Sequence, residues 1–273
     1  MFCAKEERAM LYQVTDWDDA YANAAHIPGA EAWPDRWTEA AATFRAAHPP
    51  EALGTGHLFR PQGPARGLVV FIHGGYWMRF DPSVWSHLAA GPLARGWAVA
   101  MPGYRLAPQA RIGDITAGIA DAIATAAARV EGPLAISGHS AGGHLAARMI
   151  CDDGTLPDAL AGRITACVPI SGLCDLRPLM QTAMNATLRI DAGEAASESP
   201  ALLRPRTGIP VTCWVGGAER PEFLRQSRLL ADIWAGLGAP TDCVVDPGRH
   251  HFDVIDALAQ RDSALTRRLT RLA

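Results

Sequence analysis

The chain has 273 residues, of which 49% are hydrophobic and 19% are charged, and its formal net charge is −3. This composition is that of a globular protein and excludes an intrinsically disordered chain, while the lack of a basic excess argues against a nucleic-acid binder. We find no apolar run of about 18 residues, so we predict no membrane span, and the charged first ten residues are unlike a signal peptide. We therefore expect a cytoplasmic protein with neither nucleic acid nor membrane as a partner.

The first 50 residues are rich in Ala, Trp and Asp. We predict helical segments there that are broken by Pro28, Pro34 and Pro49-Pro50. Four apolar runs follow that have the character of strands buried on both faces. They lie at residues 68–72, 97–101, 134–137 and 166–170. Helical segments separate them at 82–95, 112–130 and 141–151, and this alternation predicts an α/β protein with a mostly parallel sheet and helices on both faces.

Residues 172–208 interrupt the alternation with helical fragments and a break at Ser199-Pro200. Beyond them we predict a strand at 211–215, a helix at 222–237, a strand at 242–246 and a helical stretch after Phe252. The economical interpretation is one domain over 1–273, with a helical cap segment at 1–50 and an inserted cap segment at 172–208.

The six cysteines are scattered, without the Cys-x-x-Cys or Cys/His spacing of a metal site. Cys167 and Cys213 lie inside apolar runs and are typical of small core residues. We expect reduced, buried thiols, and neither a metal nor another cofactor.

Gly138-His139-Ser140-Ala141-Gly142 matches the Gly-x-Ser-x-Gly pattern of a nucleophile elbow. It stands where a predicted strand ends and a helix begins, so the serine hydroxyl would project above the edge of the sheet. The alternative is a glycine-rich helix start that only packs closely on the sheet. The strand–turn–helix context favours Ser140 as a nucleophile.

His73-Gly74-Gly75-Tyr76-Trp77 directly follows the first predicted strand. Acyl transfer places negative charge on the substrate carbonyl oxygen, and fixed backbone amides stabilise it. We expect the amides of Gly74 or Gly75, together with that of Ala141, to form this oxyanion hole; the alternative is an ordinary Gly-Gly turn.

A serine nucleophile needs a base, and in this fold the chain order is serine, acid, histidine. His250 and His251 follow the predicted strand at 242–246 and occupy the position of the base. His144 lies four residues into the elbow helix, so we expect it to pack within the scaffold. The residue types alone do not decide whether His250 or His251 is the base.

The acid is expected after the predicted strand at 211–215. Glu219 is the best candidate in that loop. Glu222 is its rival, although it follows Pro221 at a predicted helix start, where an acidic residue is favoured by the helix dipole. Asp246 and Asp253 are further carboxylates close to the histidine pair in sequence.

Aromatic residues cluster around these motifs, and we expect Tyr76 or Trp77 to line the substrate pocket because both adjoin the oxyanion loop. Asp175 and Asn185, in the inserted segment, are either polar groups of the pocket or helix caps. Of the two, we assign Asn185 to the pocket.

These segments give the chain a resemblance to the α/β-hydrolases, and among them to the kynurenine formamidase (arylformamidase) group, which is related to the hormone-sensitive-lipase-type esterases. The resemblance covers the chain from about residue 67 to its end. It is carried by the segments 73–77, 138–146, 170–179, Pro221-Glu222-Phe223-Leu224-Arg225-Gln226-Ser227 and His251-Phe252-Asp253-Val254-Ile255.

In that family the base is the histidine before Phe-Asp, which corresponds to His251. The acid lies two residues before Pro-Glu-Phe and is usually Asp; here that position is Glu219, which keeps the carboxylate and lengthens the side chain. The resemblance implies a cofactor-independent serine hydrolase that cleaves an aryl formamide such as N-formylkynurenine, or a short-chain acyl ester, through an acyl-enzyme.

Two alternatives stay open. One is a general short-chain carboxylesterase, and the other is a non-catalytic binding protein of the same fold, which usually lacks a member of the triad. The expected partner is a small-molecule acyl substrate. A homodimer is an open alternative for the oligomeric state.

Overall fold

The computed structural model describes residues 13–271. It contains one eight-stranded sheet. Its strands are β1 Glu51–Leu53, β2 Gly56–Phe59, β3 Leu68–Ile72, β4 Ala98–Met101, β5 Leu134–His139, β6 Ile164–Ile170, β7 Val211–Gly216 and β8 Thr241–Asp246. Their order across the sheet is β1-β2-β4-β3-β5-β6-β7-β8. The strands β4, β3, β5, β6, β7 and β8 are parallel, whereas β1 pairs with β2 and β2 with β4 in antiparallel fashion. The predicted α/β fold with a mostly parallel sheet is confirmed.

The helices lie in the connections between strands and in the segment before β1. They are α1 Trp17–Tyr21, α2 Trp33–Ala47, α3 Ala90–Ala94, α4 Ile112–Ala127, α5 Ala141–Arg148, α6 Asp158–Ala161, α7 Asn185–Leu188, α8 Ala192–Ser197, α9 Pro221–Gly236 and α10 Ala264–Leu269. Short 3₁₀ helices cover Asn23–His26, Ala30–Ala32, Pro82–Ala89, Pro178–Gln181, Pro200–Leu202 and Asp256–Ala259. Within the described residues, none of the helices combines the length and the apolar character needed to cross a bilayer.

Strand β3 shows how the core is divided. Leu68, Val70 and Ile72 belong to one hydrophobic cluster, and the alternate residues Val69 and Phe71 belong to a second. Because successive side chains of a strand point to opposite faces, the two clusters lie on the two sides of the sheet. All five residues are buried, as expected for a central parallel strand covered by helices on both faces.

Two details at the amino-terminal side differ from the sequence-based expectation. Pro34 does not break a helix; it stands in the first turn of α2, where its fixed φ and missing N–H are tolerated. The hairpin of β1 and β2 was not predicted, because these strands have only three and four residues and no continuous apolar run.

Five cysteines of residues 13–271 are free thiols, and four of them are buried: Cys151, Cys167, Cys174 and Cys213. Burial raises the pKa of Cys151 to about 12, so this thiol stays protonated near neutral pH. Cys3 and the charged amino-terminal stretch lie outside the described residues.

Candidate active site

Ser140 occupies the sharp turn between β5 and α5. Its φ of 56° and ψ of −118° fall in a region that a residue with a side chain rarely adopts. A Cβ on Gly138 would collide with the carbonyl oxygen of Gly142, and one on Gly142 would collide with that of Ile72. Both glycines of the motif are therefore required by backbone packing, and this packing holds the serine in its strained conformation.

His251 lies beside Glu219 at the neighbouring loops. Its Nδ1 is 2.6 Å from Oε2 of Glu219, and both residues are buried. The carboxylate is held by two further donors: Ser171 Oγ donates to Oε1 at 2.5 Å, and the Gly216 amide donates to the same atom at 2.8 Å. A carboxylate held from three sides fixes the histidine ring, because the Nδ1–H must point at it.

The ring of His251 also packs between two other rings. Phe223 and His139 each have their ring centroid 4.5 Å from that of His251. Burial, and next the nearby His251, hold the pKa of His139 well below its usual value, so His139 is neutral. Among the described residues no hydrogen bond joins His251 to Ser140, although both line one cavity. Such contacts are often long in a free enzyme and shorten when substrate binds.

The alternative acid, Glu222, and the alternative base, His250, have other partners. Glu222 accepts a hydrogen bond from Tyr21 Oη at 2.8 Å and pairs with Arg225 at 2.7 Å. His250 caps its own turn: its Nδ1 accepts from the Asp253 amide, while its own amide donates to the Asp253 carboxylate. Of the two candidate glutamates, Glu219 is thus the one in contact with His251.

His144 packs within the scaffold, as expected. Its Nε2 donates to the Glu198 carbonyl oxygen at 2.6 Å, and its ring meets that of Trp77 edge to face at 5.1 Å.

The Gly74-Gly75 loop after β3 lies directly against the serine. A Cβ on Gly74 would stand 3.1 Å from Ser140 Cβ, and Gly75 has a φ of 112° that only glycine adopts readily. The amides of Gly74 and Gly75 donate to no acceptor among residues 13–271. Ala141 is the first residue of α5, so its amide has no partner within the helix. All three amides are therefore available to a ligand.

His73 fixes this loop from behind. Its Nδ1 donates to the Gly74 carbonyl oxygen at 2.8 Å, and its ring stacks on Tyr104 at 4.3 Å. Burial lowers the pKa of His73 to about 4, so the ring is neutral at pH 7. The sequence pattern indicated neither Tyr104 nor Ser171, because each lies far along the chain from the residue that it supports.

A cavity of about 800 Å³ opens in front of Ser140 and His251. The segment before β1 contributes a large share of its wall, between Asp18 and Trp37, and the loop at 74–80 contributes a further part. Its aromatic lining consists of Tyr21, Trp37, Tyr76, Phe80, Trp85 and Phe252. Sequence reasoning placed no individual residue of the first segment here, because its composition is that of any partly buried helix.

Of the residues expected to line the pocket, Tyr76 does so and two do not. Trp77 is fully buried and packs against His144 beneath the loop. The amide of Asn185 is bonded on both sides to the backbone of Ile190, at 2.7 and 3.0 Å. The pocket assignment of Trp77 and Asn185 is therefore corrected: one is a core residue and the other stabilises the end of α7.

Asp175 likewise serves the scaffold. Its carboxylate accepts hydrogen bonds from the Arg177 amide and guanidinium, at 3.1 and 2.9 Å. It is therefore a turn residue and not a polar group of the pocket.

Comparison with known proteins gives similarities over most of the chain. Residues 69–253 match a family described by the alpha/beta hydrolase fold. The kynurenine formamidase of Danio rerio is 25% identical, over 98% of this chain and 96% of the relative. The kynurenine formamidase of Drosophila melanogaster is 30% identical, over 75% of this chain and 72% of the relative.

Among solved structures, a protein of Silicibacter sp. TM1040 named a candidate thioesterase superposes with a TM-score of 0.89 at 47% identity, covering 94% of this chain and 99% of that one. An esterase of Pyrobaculum calidifontis superposes with a TM-score of 0.67 at 17% identity, covering 88% and 92%, which is a likeness of fold alone.

Proposed function

Because the chain belongs to the α/β-hydrolase family and, within it, to the kynurenine formamidase group, it is a hydrolase, and we propose that it acts through a serine nucleophile on an aryl formamide or a short-chain acyl ester. One observation carries this proposal: the buried His251–Glu219 pair, joined at 2.6 Å, faces the same cavity as Ser140 on its strained turn.

In the first half of the reaction, Ser140 Oγ attacks the acyl carbon while its proton passes to His251 Nε2. The carbonyl double bond opens, and the resulting oxyanion is stabilised by the amides of Ala141 and of Gly74 or Gly75. Glu219 keeps the proton of the imidazole on Nδ1 and stabilises the imidazolium that forms. Because the carboxylate already accepts two other hydrogen bonds, it is oriented before substrate arrives.

The tetrahedral intermediate then collapses, and the bond from the acyl carbon to the leaving nitrogen or oxygen breaks. The leaving atom takes the proton from His251 and departs as an amine or alcohol, leaving an acyl ester on Ser140. In the second half a water gives a proton to His251 and attacks this ester, which releases the carboxylic acid and restores the serine hydroxyl.

The cavity supports an aromatic leaving group. Its volume of about 800 Å³ accommodates a small organic molecule, and its wall carries Tyr76, Phe80 and Trp85. Aromatic rings favour a flat apolar ligand through edge and stacking contacts. This lining, together with the similarity to kynurenine formamidases, favours an aryl formamide over a general ester substrate.

The proposal is tested by kcat/KM for N-formylkynurenine, 4-nitrophenyl acetate and 4-nitrophenyl butyrate, with a butyryl thioester added because a 47% identical relative is named a candidate thioesterase. We expect N-formylkynurenine to have the highest value. A higher value for either ester would favour a short-chain carboxylesterase, and a higher value for the thioester would favour thioester hydrolysis. No turnover of any of them by folded protein would contradict a hydrolase acting on these acyl groups.

A further inference from the structure

Asn23 brings a buried amide to the wall of the active-site cavity. The residue is 5% exposed and lines the same cavity as Ser140 and His251. Its Oδ1 accepts no hydrogen bond from any group in the described part of the chain. Among the buried polar side-chain atoms without a partner there, it is the one carbonyl oxygen. A buried acceptor without a donor is costly, so a ligand that supplies a donor is favoured.

The hydrogen bonds of Tyr76 determine which way the Asn23 amide faces. Tyr76 Oη donates its proton to the Tyr21 carbonyl oxygen at 2.6 Å, so it can only accept from Asn23. The group it faces is therefore Asn23 Nδ2, at 3.4 Å. The oxygen lies on the other edge of the amide. Since the Nδ2 contact is long and the terminal torsion of Asn is soft, the oxygen can turn toward a donor in the cavity.

Asn23 is on the side of the cavity where the leaving group is protonated. Two residues before it, Tyr21 packs its ring against that of Phe223 at 6.0 Å, and the Phe223 ring lies 4.5 Å from the ring of His251. In the proposed mechanism His251 gives its proton to the leaving atom. A leaving group that reaches His251 is therefore on the same side of the cavity as Asn23.

Amides and esters differ at the leaving atom, which is a nitrogen in an amide and an oxygen in an ester. When Ser140 attacks an amide, the nitrogen becomes pyramidal and its lone pair must face His251 to receive the proton. Its N–H is then directed away from the base and needs an acceptor, whereas the corresponding oxygen of an ester carries no hydrogen. A well-placed acceptor therefore stabilises amide cleavage and not ester cleavage.

We propose that Asn23 Oδ1 accepts a hydrogen bond from the leaving-group N–H of an amide substrate and so sets the preference of this enzyme for amides over esters. The inference rests on the proposed acyl hydrolase function and deepens it, because it names the bond type that the site selects. It makes Asn23 a substrate-binding residue.

The test compares Asn23→Leu with the unaltered protein on two substrates, 4-nitroformanilide and 4-nitrophenyl acetate. We expect kcat/KM for the anilide to fall about 10- to 100-fold and that for the ester to fall less than about threefold, because one hydrogen bond is lost in only one of the two reactions. Asn185→Leu is the matched control, since the Asn185 amide is bonded to backbone outside the cavity, and both its rates should be retained. If Asn23→Leu does not fold, Asn23→Ala removes the same oxygen without adding bulk and should show the same selective loss.

Three results would overturn the proposal. An equal fall for both substrates would mean that Asn23 only supports the cavity wall. Unchanged rates for both would mean that no substrate group meets its oxygen. Ester turnover without anilide turnover by the unaltered protein would contradict amide selectivity while leaving the hydrolase function intact. Failure of the proposed function itself is distinguishable, because the unaltered protein would then turn over neither substrate.

Discussion

The carboxyl edge of the parallel strands and the segment of residues 13–50 meet at one cavity, but they are held by different contacts. At the edge, backbone segments pack directly against each other, so the glycines at 138 and 142 have no room for a side chain. This close backbone packing fixes the elbow. The segment is instead attached by side chains that reach across the fold. Tyr21 binds Glu222, Tyr76 binds the Tyr21 carbonyl, and the Asp18 carboxylate accepts the Ala183 amide. Changes at the edge should therefore remove the chemistry, whereas changes in the segment should alter which substrate is accepted.

The largest expected effect at the edge concerns the base. His251→Ala should lower kcat by about 10⁴-fold or more, because the members of a triad act as a unit. His250→Ala should be mild, since the His250 ring stabilises its own turn. Steady-state rates of both variants on one activated ester decide the matter. An essential His250 beside a dispensable His251 would contradict the assignment.

The next effect concerns the acid. Glu219→Gln keeps the size of the side chain but removes the charge that faces His251, and by comparison with the serine-protease triad the loss approaches about 10⁴ in kcat. Glu219→Asp should retain part of the activity, with a shorter reach to the ring. Glu222→Gln should weaken stability more than rate, because its carboxylate pairs with Arg225 inside the scaffold. Near-normal rates for Glu219→Gln together with a collapse for Glu222→Gln would move the acid to residue 222.

A smaller effect is expected in the amino-terminal segment. Tyr21→Phe removes the hydroxyl that donates to Glu222 and accepts from Gln226 at 3.2 Å. We expect a loss of about 1–3 kcal/mol in the free energy of unfolding and a several-fold rise in KM with kcat nearly kept. Urea unfolding measures the free energy of unfolding, and Michaelis–Menten kinetics give KM and kcat. A large fall in kcat with KM unchanged would show that this segment serves the chemistry and would remove the contrast between the two regions.

The smallest effect is on the pH dependence of stability. Burial lowers the pKa of His144 to about 3, against about 6.5 in an unfolded chain. Between these values the unfolded chain binds a proton that the folded one does not, so stability is full above pH 6.5 and is lost as the pH falls, by up to about 1.4 kcal/mol per unit. When the pH is lowered from 7 to 5, the free energy of unfolding measured with urea should therefore fall by about 1–2 kcal/mol less for His144→Gln than for the unaltered protein. Equal losses would mean that His144 is already charged in the fold.

The framework was predictable because its signals are local. Four of the six parallel strands correspond to continuous apolar runs, at 68–72, 97–101, 134–137 and 166–170, and the elbow is a pattern of five adjacent residues whose glycines are needed for steric reasons. The two loops that carry Glu219 and His251 could be located because each follows a strand whose carboxyl end must lie at the same edge, whereas the choice of His251 over His250 came from the family resemblance.

The cavity wall was not predictable residue by residue. Asn23 reaches the site through Tyr76, 53 positions further along the chain, and Tyr21 through Glu222, 201 positions further. Trp77 was misplaced because closeness to a motif in sequence does not say on which side of a loop a side chain lies. Asn185 was misplaced because a polar residue in the inserted segment can serve the pocket or its own backbone, and here it bonds to the backbone of Ile190.

Reaction with a fluorophosphonate, followed by intact-mass measurement and peptide mapping, tests whether the nucleophile is Ser140. We expect one adduct per chain, carried by Ser140, together with complete loss of esterase activity. We expect no adduct on a folded Ser140→Ala variant. Folded protein without an adduct, or Ser140→Ala protein that is still labelled and still active, would rule out Ser140 as the nucleophile.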